Sequence, residues 1–147
     1  MPTPTLRPST ASDAEFLYQI AEDYFRPLVE ALGRKWSTTK MQEKCQRDAV
    51  SGITSIVEVD GQRVGYLSVE RRPTEIWLDS LILESRFRRQ GIGTALVSDL
   101  RREAAVRRLP IRLGVLTGNE AQVFWQQRGF TAVGAVDPHH ALMESAT

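Results

Sequence analysis

A mixed α/β chain with one central sheet is predicted by three observations. Apolar runs of strand length alternate with segments of helical periodicity. An Asp60-Gly61 pair sits between two strand-like runs, a strong signal for a tight hairpin. A third long apolar run, Ile76 to Leu83, passes through a basic, glycine-containing turn straight into a helix.

The elements follow in order. Thr5 to Arg7 begin a short strand that Pro8 stops. Ser12 or Asp13 caps a helix through Tyr24, with Phe16, Leu17, Ile20 and Tyr24 near helical spacing. Pro27 predicts a break or a new helical segment through Leu32, which Gly33 ends. Thr38 or Thr39 caps a helix to about Val50. Ile53 to Val59 and Val64 to Val69 are the hairpin strands, and Arg71 to Glu75 form a turn. In Ile76 to Leu83 the alternation fails near the end, as in a strand that is bulged or buried on both faces. A helix then runs to about Arg108, with an apolar stripe of Ile92, Leu96, Leu100 and Ala104 and with Arg101, Arg102 and Arg107 toward water. Ile111 to Leu116 is a strand and Asn119 to Arg128 a helix ended by Gly129. Phe130 to Val136 and Ala141 to Glu144 are the last strands. The order β-α-α-β-β-β-α-β-α-β-β gives a sheet of about six to seven strands flanked by about four helices.

Composition narrows the function. A chain of 147 residues is the size of a single domain and can bury a core without disulfides or metals. Nineteen Lys and Arg against eighteen Asp and Glu argue against a dedicated nucleic-acid binder. No apolar run is long enough to cross a bilayer, and the N-terminal MPTPTLRPST has no apolar stretch of signal-peptide length. One cysteine, Cys45, makes no internal disulfide and reads as a small buried hydrophobe. Two adjacent histidines and one cysteine are not a zinc spacing. A cytoplasmic, metal-independent protein is expected.

The chemistry lies in ESRFRRQGIGTALVSDL, Glu84 to Leu100. At a helix start several backbone N–H groups have no internal partner, and the helix dipole adds positive charge. Gly91 and Gly93 let an anion approach the backbone, and Arg86, Arg88 and Arg89 add charge. This is an anion cradle suited to phosphate. It is not a Walker loop, since no Gly-Lys-Ser/Thr follows. Nor is it a dinucleotide fingerprint, whose third glycine would fall at Leu96. On the glycine pair alone, a basic surface turn explains it as well.

The stretch SLILESRFRRQGIGTALVSDL resembles motif A of the GCN5-related N-acetyltransferases (GNAT), with the loop pattern Arg/Gln-x-x-Gly-x-Gly/Ala at Arg88-Arg89-Gln90-Gly91-Ile92-Gly93. GNEAQVFWQQRGF, Gly118 to Phe130, is similar to the family's second signature. LRPSTASD and DGQRVGYLSV match its first strand and helix start and its central antiparallel arm. The resemblance thus covers nearly the whole chain, as a single N-acetyltransferase domain over 1–147.

The resemblance implies acetyl-CoA as co-substrate and direct transfer of its acetyl group to a primary amine. The amides from Arg89 through Gln90, Gly91, Ile92 and Gly93 to Thr94 would hold the diphosphate, with Arg88 at the family's Arg/Gln position. The pantetheine arm would pair along Leu81, Ile82 and Leu83, in a wedge where this strand splays from Ile111 to Leu116. Asn119 would contact the cofactor, although it lies one residue off the family's spacing. No metal is implied, and a monomer or homodimer is expected.

Transfer needs a base for the amine and a route for the thiolate proton. Glu75, Trp77 and Asp79 share one strand face, so Asp79 and Glu75 are the candidate bases; both also read as solvated strand-end acids. Where many relatives carry a Tyr acid, this chain has Trp125, whose indole donates a hydrogen bond but no usable proton. Trp125 packed on the pantetheine is one expectation. A non-catalytic acyl-CoA-binding protein is the alternative that Trp125 motivates, and a general phosphate or nucleotide binder a third. His139 and His140 are a proton relay or an exposed turn pair. Tyr24, Phe25, Arg26 and Trp36 lie where relatives form the acceptor wall, or are simply core.

Overall fold

A computed structural model describes residues 3–117 and 120–145. It contains strands β1 (Thr5–Pro8), β2 (Thr54–Val59), β3 (Gln62–Arg71), β4 (Ile76–Leu83), β5 (Ile111–Leu116), β6 (Phe130–Asp137) and β7 (His140–Ser145). The helices are α1 (Ala14–Ala31), α2 (Thr38–Ala49), α3 (Ile92–Arg107) and α4 (Glu120–Gln127). The sheet order is β1-β2-β3-β4-β5-β7-β6, so the predicted α/β class and mixed sheet are observed. Contacts gather the chain into two compact units, Met1–Ser68 with Ser80–Gly93, and Val69–Asp79 with Thr94–Thr147.

In the first unit, β1, β2 and β3 form an antiparallel ladder. Asp60 and Gly61 both take positive φ, 52° and 77°, which is the backbone of the tight turn their sequence predicts. Helices α1 and α2 cover this ladder through Leu17, Ile20, Ala21, Cys45 and Ala49, packed with Ile56, Tyr66 and Ile82. Burial pushes the Cys45 thiol up to about 11 and leaves it a hydrophobe.

Two of the boundaries that differ from expectation have a local cause. The sequence predicts a break at Pro27, but α1 continues through it to Ala31. Pro27 lies one turn from the end, so the missing N–H removes a single bond there. The helix stops where the sequence predicts, at Gly33, with φ 75°. The Gly33 and Arg34 amides donate to the carbonyls of Glu30 and Val29 at 2.9 and 3.2 Å, a Schellman closure. The cap of α2 is Ser37 rather than Thr38 or Thr39: its hydroxyl accepts from the Lys40 amide at 3.2 Å.

Asp13 does more than cap a helix. It is 2% exposed, and its carboxylate accepts a fork from Arg7 (2.9 and 3.0 Å), a bond from Arg63 (3.2 Å) and the Thr10 amide (2.9 Å). The Arg7 fork, more than the remaining partners, holds its pKa far below the usual carboxylate range against the opposing effect of burial. This one buried charge joins β1, β3 and the start of α1.

In the second unit, β4 and β5 are parallel, with Ile76 opposite Ile111 and Trp77 opposite Arg112 at their amino ends. β5 pairs with β7 as far as Leu116 opposite His140. β6 pairs with β7 through two register shifts that leave Val133 and Val136 as extra residues. Bulges of this kind discourage pairing on an outer strand. The predicted α3 stripe of Ile92, Leu96, Leu100 and Ala104 is buried. Arg101, expected toward water, instead donates to the Arg128 carbonyl and lies over the Phe130 ring. No described helix is long and apolar enough to cross a membrane.

Candidate active site

The turn between β4 and α3 carries a specific backbone conformation. Ser85–Phe87 make one 3-10 turn, and Arg88 is extended. Arg89 then takes φ 63° and Gly91 φ 83°, immediately before α3 begins at Ile92. Alternating left-handed residues turn successive amide N–H groups toward one side and form a concavity for an anion. The opening turn of α3 adds its own amides and the positive end of the dipole. Ile92 is fully buried, so its side chain anchors the helix start in the core.

The charges around the turn are placed unequally. Arg86 pairs with Glu84 at 2.8 Å and lies over the Phe87 ring. The Gln90 side-chain Nε2 donates to the Arg86 carbonyl at 2.8 Å, closing the loop on itself. Arg88 is turned toward α1. Its Nε donates to the Leu83 carbonyl at 2.9 Å, and its guanidinium lies 5.1 Å from the Tyr24 ring centre. In the second unit, Arg128 donates to the Thr94 hydroxyl at 2.7 Å and stacks on Phe124. This brings a guanidinium to the first turn of α3. No local pattern signals it, because the contact joins residues 34 apart.

The end of β4 is irregular where the alternation fails. Leu81 is half-buried, while Ile82 and Leu83 are both buried in succession. β3 approaches closely here. A Cβ built at Gly65 would lie 2.3 Å from the Ile82 carbonyl oxygen and 2.9 Å from Leu83 Cα. The Glu84 amide donates to the Val64 carbonyl at 2.7 Å, so the strand leaves the sheet under restraint.

The two acids lie in different surroundings. Glu75 lies in the turn before β4 and accepts from Arg112 and from Arg72, each at 2.7 Å. Arg112 first, then Arg72, lowers its pKa below the ordinary carboxylate range. Asp79 lies midway along β4 and is exposed. Trp125 is 8% exposed, edge-on to Phe124 and Phe130 at 5.0 and 5.2 Å. His140 Nδ1 lies 2.8 and 2.9 Å from the two Asp137 oxygens. Trp36 donates to the Tyr18 hydroxyl at 3.4 Å, and Phe25 packs edge-on with Tyr24. Asn119 lies outside the described residues. Among the described residues, no group of three His, Cys, Asp or Glu side chains is placed to hold a metal.

Leu81, Ile82, Leu83, Arg88, Arg89, Gln90, Gly91, Ile92 and Gly93 thus follow one another through the strand end and turn of the first unit. Glu75, Asp79, Thr94 and Trp125 belong to the second.

Solved structures share this architecture. The PaiA N-acetyltransferase of Thermoplasma acidophilum, solved with coenzyme A, is 17% identical with a TM-score of 0.76, covering 98% of this chain and 99% of its own. An acetyltransferase of Thermus thermophilus is 20% identical with a TM-score of 0.74, covering 98% of both chains. Arabidopsis thaliana Naa50, in complex with the bisubstrate analogue CoA-Ac-MVNAL, is 16% identical with a TM-score of 0.69, covering 98% of this chain and 99% of its own. A search of curated proteins finds no match. The acetyltransferase (GNAT) family model matches residues 14–130, which takes in most of both units, the turn and Trp125. The chain therefore belongs to the GNAT acetyltransferase family.

Proposed function

We propose that this protein moves an acetyl group from acetyl-CoA directly to a primary amine, on a small molecule or a protein. The observation that carries the reading is the Arg89 and Gly91 backbone, both left-handed and running straight into α3. In this reading the amides from Arg89 to Thr94 hold the diphosphate, and the pantetheine arm lies along Leu81 to Leu83. The coenzyme A and bisubstrate complexes of the PaiA and Naa50 structures support that class of donor.

The amine must lose a proton before it attacks, since a lysine-like ammonium has a pKa of about 10.4. Glu75 is a poor base because two arginines already hold its charge. Asp79, exposed on the same strand face, is the base in this account, acting directly or through water. The leaving thiol has a pKa of about 8.5, so a thiolate departs near neutrality without a dedicated acid. Trp125, buried against Phe124 and Phe130, is then not needed as an acid.

Amine-dependent thiol release is the test, run on polyamines, amino-acid amides and short peptides with free α-amines. Turnover with at least one amine class supports the enzyme. Acetyl-CoA binding without turnover on any of them favours a non-catalytic acyl-CoA module, the second reading that Trp125 suggests. Trp125→Tyr is expected to leave the pH dependence of kcat unchanged. A new basic limb in that profile would show that an acid had been missing.

A further inference from the structure

Arg88 occupies the family's Arg/Gln position, yet its side chain is committed within the protein. Nε donates to the Leu83 carbonyl at 2.9 Å, the guanidinium faces Tyr24 at 5.1 Å, and a terminal nitrogen lies 3.5 Å from Asp23. All three partners flank the turn: Leu83 closes β4, and Asp23 and Tyr24 lie on α1. Tyr24 packs against the α1 and α2 core and edge-on with Phe25 at 5.0 Å. The Glu84 amide is tied to Val64, so the segment from Leu83 to Arg88 is closed at both ends.

We propose that Arg88 is a positioning residue: it fastens the anion-binding turn to α1 through Tyr24 and Leu83, rather than contacting the diphosphate itself. The inference rests on the coenzyme reading above for its effect on affinity, but not for the clamp. Arg88 is the residue directly before the left-handed Arg89. Fixing its side chain therefore fixes where the amide concavity starts, and links it to the helix that carries Tyr18, Tyr24 and Phe25. The role needs a planar guanidinium with an Nε donor and an aromatic partner. An ammonium supplies neither that fork nor that face.

Two measurements test it on Arg88→Gln, Arg88→Lys, Tyr24→Leu and the Arg88→Gln/Tyr24→Leu double variant. The first is backbone amide exchange over residues 89–94 in the ligand-free protein. Each single variant is expected to speed exchange by about tenfold, and the double variant no further, because both break one contact. The second is titration with coenzyme A. Arg88→Gln, Arg88→Lys and Tyr24→Leu are all expected to weaken binding by about tenfold, again without adding. Wild-type exchange in ligand-free Arg88→Gln, with affinity lost, would make Arg88 a direct ligand and overturn the proposal. So would wild-type exchange and affinity in Tyr24→Leu. Should Tyr24→Leu fail to fold, the two Arg88 variants decide alone, since lysine rescues a charge contact but not the clamp. If the wild-type protein binds no coenzyme A, the proposed function falls, and ligand-free exchange still decides the clamp.

Discussion

Asp13→Asn is expected to cost roughly 3 kcal/mol of folding stability at pH 7, the low end for breaking a buried ion pair because the arginines are partly solvated. The wild-type carboxylate is almost wholly buried and takes bonds from Arg7, Arg63 and the Thr10 amide. An amide keeps the shape but turns a donor toward two guanidinium groups and removes the charge that balances them. The sign with pH follows from the depressed pKa of Asp13. Its stabilisation is fully present above the unfolded pKa of about 3.9 and is lost as pH falls from there toward the folded value. Denaturant melts of both proteins should therefore show their gap narrow below about pH 4. A gap independent of pH would mean that the Asn variant fails through packing and not charge.

Gly65→Ala is expected to destabilise by about 3 kcal/mol, at the upper end for overpacking, because backbone lies in the way. A methyl there would meet the Ile82 carbonyl at 2.3 Å and Leu83 Cα at 2.9 Å. The flexible Leu83 side chain can move aside, whereas the strand can yield only by shifting its bonds. The same stretch leads into the anion turn, so a variant that still folds should also bind coenzyme A more weakly. Urea unfolding gives the first number and a titration the second. Wild-type stability in Gly65→Ala would show that β3 and β4 do not approach so closely.

The element order is legible in the sequence because most elements are marked by local rules. Asp60-Gly61 dictates its own hairpin, and the Ile92, Leu96, Leu100, Ala104 spacing buries one side of α3. Local rules fail where long-range contacts decide. Pro27 reads as a break, but α1 is held by a core that includes strand residues, and it ends at the Gly33 closure. Asp13 reads as a cap, because nothing near it reveals that Arg63 lies 50 residues away in sequence and 3.2 Å away in space. The anion turn is legible as glycines before a helix. What the sequence could not show is that Arg88 turns to Tyr24 and that Arg128 arrives at Thr94. Glu75 and Asp79 look equivalent by spacing, but Glu75 accepts from two arginines in the turn before β4 and Asp79 is exposed within the strand.

The central claim is that the turn from Arg89 to Thr94 is a coenzyme site, and calorimetric titration with acetyl-CoA tests it most directly. ATP and NAD serve as competitors, and Gly91→Glu as the control. That substitution forces a side chain into φ 83° and sets a carboxylate in the anion cradle. The account predicts saturable one-site binding of acetyl-CoA, weak competition by ATP and NAD, and at least a roughly hundredfold loss in Gly91→Glu. No heat of binding to the folded wild-type protein, or tighter binding of ATP or NAD, would contradict it.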